Sequence, residues 1–225
     1  SQLIGVLMDN MGPSLLAATL SLPVLIYMMA GEVNGTALAV WTVLMLAMLV
    51  FRYRLIGIYR LRYDSLEGPQ RQAFIQRYQW TWPAVAVLWG GPVLLTYLQA
   101  DVITQSVCAL VVLGQGLLTL TAFSAYLPVY RAYANGLILA VFVGLVAVTA
   151  ARIETPDALQ TGLIFMVLLL VFWALLHMAG SRLHLVHRSS FELQFSNQEL
   201  IDSLTLQTRA SLRAVATKNR FLASA

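Results

Sequence analysis

The chain has 225 residues, of which 59% are hydrophobic and only 11% charged, and its mean hydropathy is +0.75. A soluble domain carries about 25% charged residues, so a core bathed in water is excluded and lipid is the expected solvent. The net charge of +4 is spread over short segments between apolar runs, which argues against nucleic acid as a partner, and the single cysteine, Cys108, excludes an internal disulfide framework.

The chain opens on "SQLIGVLMDN", which has neither a basic leader nor a small-residue cleavage site, so no cleaved signal peptide is expected. Six apolar stretches follow, at 13–30, 36–51, 82–98, 104–123, 135–150 and 158–179, each near the about 20 residues that a transmembrane helix needs. Every lysine and arginine except Arg152 falls on one side of the membrane in this arrangement. Arg52, Arg54, Arg60, Arg62, Arg71 and Arg77 lie between spans two and three, and Arg131 between spans four and five. The remainder, Arg182 to Arg220, follow span six. By the positive-inside rule both termini are cytoplasmic. The three outer connections, "GEVNGT", "QAD" and "ARIETPDA", are too short to form a ligand-binding domain. Any stimulus is therefore met within the membrane, at its surfaces or from the cytoplasm.

Within the spans, Pro23 and Pro92 predict kinks whose freed carbonyls are satisfied by neighbours, or hinges. "GQGLLTLT" at 114–121 places small and polar residues in span four, where close helix packing and a cross-helix bond from Gln115 stand beside a polar ligand contact. Trp80, Trp82 and Trp89 open span three, and Tyr126, Tyr130 and Tyr133 surround "SAYLPVYRAYAN". Interfacial aromatic belts account for such residues; the alternative is a cradle for a lipid-like or aromatic ligand. The candidate stimulus-sensing residues are accordingly Trp82, Trp89, Gln115, Tyr126 and Tyr130. His177, His184 and His187 share one helix face, a candidate metal, haem or proton-sensing stripe, although no cysteine or carboxylate completes a ligand shell. Headgroup contacts explain the three more simply, and no metal site is assigned. No catalytic constellation is present, and Asp9 and Asp101 flank spans rather than occupy them.

From Ser181 onward the chain reads as a polar helix without Gly or Pro. Val186, Leu193, Leu200, Leu204, Ala214 and Phe221 form a three–four seam typical of a coiled coil, diluted by Ser190, Asn197, Gln207, Ser211 and Lys218. A second stripe, Ile201, Thr208, Leu212 and Val215, competes with it. Two comparable registers are what a bistable relay requires; a polar, marginal coil is the plainer reading. The expected fold is therefore all-α: a six-helix membrane domain over 1–180 and a cytoplasmic transmission helix over 181–225. Dimerisation and transmission are expected at Leu193, Asn197, Leu200, Leu204 and Phe221.

The closing "KNRFLASA" resembles the start of the dimerisation and phosphotransfer helix of sensor histidine kinases, in which Lys-x-x-Phe-Leu-Ala leads into Ser-His-Asp/Glu. Lys218, Phe221, Leu222 and Ala223 match that run. "RSSFELQFSNQELIDSL" is similar to the linkers that follow six-span input modules of such kinases and of some diguanylate cyclases, and "TLTAFSAYLPVYRAY" to the Ser-Ala-Tyr-x-Pro segment those modules carry. The resemblance covers the tail well and the membrane part loosely. It implies the input module of a hybrid kinase in a bacterial inner membrane, ending about two residues before a phosphoacceptor histidine. It further implies a homodimer, a response regulator or receiver as downstream partner, and ATP and magnesium serving a kinase domain outside this chain. Rival expectations are a small transporter or channel with an oligomerising tail, for which the spans offer few polar residues beyond Gln115, Thr119, Thr121 and Asn135, and the input module of a diguanylate cyclase.

Overall fold

A computed structural model describes residues 2–62, 68–97, 99–151 and 156–224, with the side chains of 2, 156–158, 210, 211 and 213–224 outside the described set. Among these residues there is no strand. Seven helices run in order: α1 (Gln2–Met29), α2 (Gly35–Arg62), α3 (Gly68–Tyr78), α4 (Thr81–Tyr97), α5 (Val102–Phe123), α6 (Leu127–Ala151) and α7 (Pro156–Ser224). α1, α2, α5, α6 and α7 are long and apolar enough to cross a membrane. α4, the third expected span, has 17 residues, the lower limit for crossing. α1 starts eleven residues before the expected first span, α2 runs eleven residues past the second, and α6 starts eight residues before the fifth. No proline interrupts the helix in the first two of these flanks, and Pro128 lies in the first turn of α6, where a helix tolerates it.

Two compact units result, one extending to His184 and one comprising Leu185–Ala225. In the first, α1 turns one stripe inward: Leu7, Met11, Leu15, Leu22, Leu25 and Met29 are buried, at the three–four spacing of a helix face. Its opposite face and those of its neighbours are apolar too; Leu20, Val43, Leu110, Leu139 and Val167 are each more than half exposed. So continuous an apolar surface is a liability in water and the natural one in hydrocarbon.

α4 and α6 form the closest helix pair in the bundle, and small residues are the reason. Gly136, Ala140 and Gly144 recur every fourth residue along α6 and meet Pro83 and Ala86, Gly90, and Leu94 of α4 in turn. A Cβ on Gly90 would lie 2.5 Å from that of Ala140, and one on Gly136 3.1 Å from the Pro83 carbonyl oxygen. Backbones approach this closely only along a small-xxx-small seam.

Pro92 removes the amide that would bond the Leu88 carbonyl one turn back. The Trp41 indole of α2 supplies the missing donor, Nε1 to Leu88 O at 2.8 Å. Gly91 makes room for it, since a Cβ there would meet the indole at 2.8 Å. The expected satisfaction of the proline's freed carbonyl by a neighbour is thus found in a named side chain. Trp41→Phe, which keeps the ring and removes the donor, is expected to destabilise the bundle by about 1–3 kcal/mol through the stranded carbonyl. Thermal unfolding of the purified chain in detergent measures this.

At the end of the bundle opposite the arginines, two connections tie together. Asn34 N donates to Gln99 Oε1 at 2.8 Å, and Asp101 N donates to Glu32 Oε2 at 3.3 Å. Asp101 caps α5 by accepting from Thr104 N at 2.7 Å, and that bond holds its carboxyl below the usual carboxylate range. At the basic end, the arginine-rich segment between spans two and three contains α3, which buries Ile75 and stacks Phe74 on Tyr59 and Tyr78.

In the second unit, Leu193, Leu200 and Leu204 are each more than half exposed, as are Ile201 and Leu212 of the second stripe; Asn197 is exposed as well. The i,i+4 ion pair Arg188–Glu192, at 2.9 Å, adds only about 0.3–0.5 kcal/mol in so exposed a position. The side chain of Phe221 lies outside the described residues, as does Arg152.

Candidate functional site

Helical periodicity alone delivers a charge into the bundle. Trp41, Met45, Leu49, Arg52, Ile56 and Tyr59 form one inward face of α2, and because the helix continues past Phe51 the fourth member of that face is an arginine. Arg52 is 3% exposed. Its guanidinium carbon lies 5.9 Å from the Trp82 ring centroid and 5.5 Å from that of Phe123. These are cation–π contacts near the outer limit of useful range. Trp82 comes from the first turn of α4, which follows α3 closely, and Phe123 closes α5. Tyr133 of α6 packs its ring 5.2 Å from Phe123. Arg52 forms no ion pair among the described residues, and its Nε and Nη2 have no hydrogen-bond partner there; nor do Trp82 Nε1 and Ser124 Oγ. All four atoms are buried, and all four can donate.

The turn between α5 and α6 connects this cluster to α7. His184 Nδ1 lies 3.0 Å from the Ser124 carbonyl oxygen; a carbonyl only accepts, so this nitrogen carries the hydrogen. Two turns before His184, the buried Tyr130 hydroxyl donates to the Leu176 carbonyl, and the Tyr130 ring occupies the space over Gly180, where a Cβ would fall 2.2 Å from Cε1. Trp173 Nε1 donates to Asn135 Oδ1 at 2.9 Å, and the His177 ring packs 4.7 Å from that of Trp173. α7 is therefore keyed to α6 and to the α5–α6 turn, and it continues through Gly180 as helix.

Toward the acidic end, α4, α5, α6 and α7 line a partly open cavity of about 490 Å³, within the range of small-molecule sites. Val112, Leu145, Phe165 and Phe172 give it an apolar lining, with polar groups from Thr96, Tyr97, Gln105, Ser106 and Thr161. Thr96 donates to Pro92 O, Gln105 to Ala100 O and Ser106 to Val102 O, each on its own helix or its cap. What faces the cavity is mostly hydrocarbon with a few hydroxyl and amide groups, a chemistry that suits an apolar body carrying a small polar group.

None of the five candidate sensing residues lines this cavity. Trp82 belongs to the Arg52 cluster; Trp89 is buried within the α4 core; Gln115 donates to Ser21 Oγ of α1 at 3.3 Å; Tyr126 is half-buried in the turn before α6; Tyr130 holds α7. They are dispersed over separate helix contacts. His177 and His184 engage different carbonyls, of Trp173 and Ser124, and no group of three potential metal ligands exists among the described residues. Arg52 was hidden by its charge, which reads as a membrane-boundary marker; the signal that reveals it is the three–four face of α2 extended beyond Phe51. No family model, curated protein or solved structure matches the chain.

Proposed function

We propose that the chain is the input and transmission part of a sensor histidine kinase: six membrane spans with both ends in the cytoplasm of a bacterium, dimerising through the helix that ends in "KNRFLASA". The observation that supports this most is α7, one helix over Pro156–Ser224 that carries a membrane span, the contacts to Tyr130 and Ser124, and the segment resembling a phosphotransfer helix. A hydrophobic or amphiphilic stimulus in the 490 Å³ cavity would touch α7 through Phe165 and Phe172 while touching α4, α5 and α6 on its other sides. It acts by favouring one packing of α7 over another, since a ligand shifts an equilibrium only by its differential affinity for the two states. The exposed Leu193, Leu200 and Leu204 supply the seam for a second copy, with Asn197 setting register at a cost in stability. ATP and magnesium act on a domain outside this chain, and no residue here is assigned to them.

The test is chemical. The gene product continued past Ala225, reconstituted in nanodiscs and given ATP labelled in the γ-phosphate, is expected to acquire acid-labile, base-stable phosphate on histidine. Absence of label, together with substrate-dependent flux through liposomes carrying the chain, would replace a kinase input with a transporter.

A further inference from the structure

The Arg52 cluster needs only the helices up to His184 and stands apart from the kinase proposal. A buried guanidinium without an acceptor is costly by several kcal/mol, and two cation–π contacts near their distance limit recover about 0.5–1 kcal/mol each. An apolar residue of similar length would be neutral or stabilising at such a position. The deficit is not confined to one atom. Arg52 Nε and Nη2, Trp82 Nε1 and Ser124 Oγ are all buried and without a protein partner among the described residues. Trp82 and Phe123, the residue before Ser124, both lie within 6 Å of the Arg52 guanidinium carbon. Nε and Nη2 lie on one edge of the guanidinium, the fork that matches two oxygens of a phosphate or carboxylate. A neutral ligand would leave the charge unanswered; water would satisfy the donors and likewise leave the charge.

We propose that Arg52, Trp82 and Ser124 form an intramembrane oxyanion site, built for a phosphate group that Arg52 grips bidentately while the indole N–H and the serine hydroxyl donate to its remaining oxygens. Two sources present this group, the headgroup of an anionic phospholipid and free phosphate. The level of the site, at the end of the bundle that carries Arg54, Arg60 and Arg131, is the one expected for lipid headgroups. His184, held on the Ser124 carbonyl, sets the turn that carries the serine, so occupancy of the site bears directly on α7.

The experiment is thermal unfolding of the purified chain in neutral detergent, titrated with phosphatidic acid, with diacylglycerol of the same acyl chains, or with inorganic phosphate. Phosphatidic acid is expected to raise the unfolding midpoint and diacylglycerol to leave it unchanged. A rise with inorganic phosphate alone assigns the site to the free anion, and a rise with the lipid only assigns it to the headgroup. Arg52→Met is expected to weaken phosphatidic acid by roughly thirtyfold or more, as loss of a buried charged hydrogen-bond partner does. Arg52→Lys, which keeps the charge without the fork, should fall between, and Arg54→Met, at an exposed neighbour, should match the parent chain. Equal midpoints with phosphatidic acid and diacylglycerol, together with no rise from inorganic phosphate, overturn the site using the parent chain alone, whatever the folding yield of the variants. So does an undiminished response in Arg52→Met.

Discussion

Alanine at Gly180 is expected to lower the unfolding midpoint of the chain by roughly 5–10 °C, the equivalent of about 2–4 kcal/mol for a protein of this size. The new Cβ would fall 2.2 Å from Cε1 and 2.3 Å from Cζ of Tyr130. That ring cannot swing aside cheaply, because it is fully buried and its hydroxyl is bonded to the Leu176 carbonyl of α7 itself. Either α7 moves off α6 or the hydrogen bond breaks, and overpacking of this kind costs about 1–3 kcal/mol before the bond is counted. The effect belongs to one contact, so a double-mutant cycle isolates it. In a Tyr130→Ala background the same Gly180→Ala change should cost almost nothing. Equal costs in both backgrounds would show that α7 is not keyed to α6 at this point.

Leucine at Gly90 is expected to be more damaging still, with loss of at least about 3 kcal/mol and failure to elute as a single species from size exclusion. Here the atoms in the way are backbone as well as side chain: the Ala140 Cβ at 2.5 Å, its carbonyl carbon at 3.2 Å and the Val141 nitrogen at 3.3 Å. A helix pair that needs this approach has no rotamer to surrender. The smaller change Gly90→Ala should be rescued by Ala140→Gly, which transfers one methyl across the seam and leaves its thickness unchanged. Gly114→Ala is the control. Nothing lies within 4 Å of a Cβ there, so alanine should be tolerated or stabilise by up to about 1 kcal/mol through its better helix propensity. A seam that accepted leucine at Gly90 as readily as alanine at Gly114 would not be the packing core described above.

The contrast between these glycines shows what the sequence discloses and what it withholds. Composition announces lipid, and hydropathy locates the long helices, because both are sums over many residues and survive errors at single positions. The density of small residues around Gly114 and Gly116 drew attention to α5. Gly116 does pack against Leu137 of α6 and Phe172 of α7, yet Gly114 faces open space and the backbone-to-backbone seam lies between α4 and α6, where Gly90 meets Ala140. A small-xxx-small spacing becomes legible as a seam only when the partner helix is known. Arg52 was obscured for a related reason. Beside Arg54, Arg60 and Arg62 it reads as one more charge at a membrane edge, and burial separates it from them only because α2 continues as a helix for eleven residues beyond Phe51. The aromatic residues occupy different places rather than one: Trp82 lies beside the guanidinium, Trp89 fills the core and Tyr130 bonds α7. Their shared chemistry concealed different tasks, which only three-dimensional neighbours tell apart.

The helical character of the tail was plain from its lack of Gly and Pro, whereas its partner was not, because a polar seam of Leu193, Asn197, Leu200 and Leu204 serves a dimer and a lone solvated helix alike. That ambiguity is physical rather than notational: the apolar stripe is short of the continuous a/d pattern that commits a helix to one register. If the stripe is a relay, rotation about its axis is the quantity that matters.

The central proposal, that the state of the spans reaches an enzyme through rotation of α7, is tested most directly by inserting one to seven residues after Gln207 in the gene product continued past Ala225 and measuring histidine autophosphorylation. Each inserted residue turns the downstream helix by about 100°, so three or four nearly complete one turn and seven nearly two. Autophosphorylation that falls at one or two insertions, recovers at three or four, falls again and recovers at seven is the predicted result; activity that is uniform across the series, or that declines steadily with length, would contradict it.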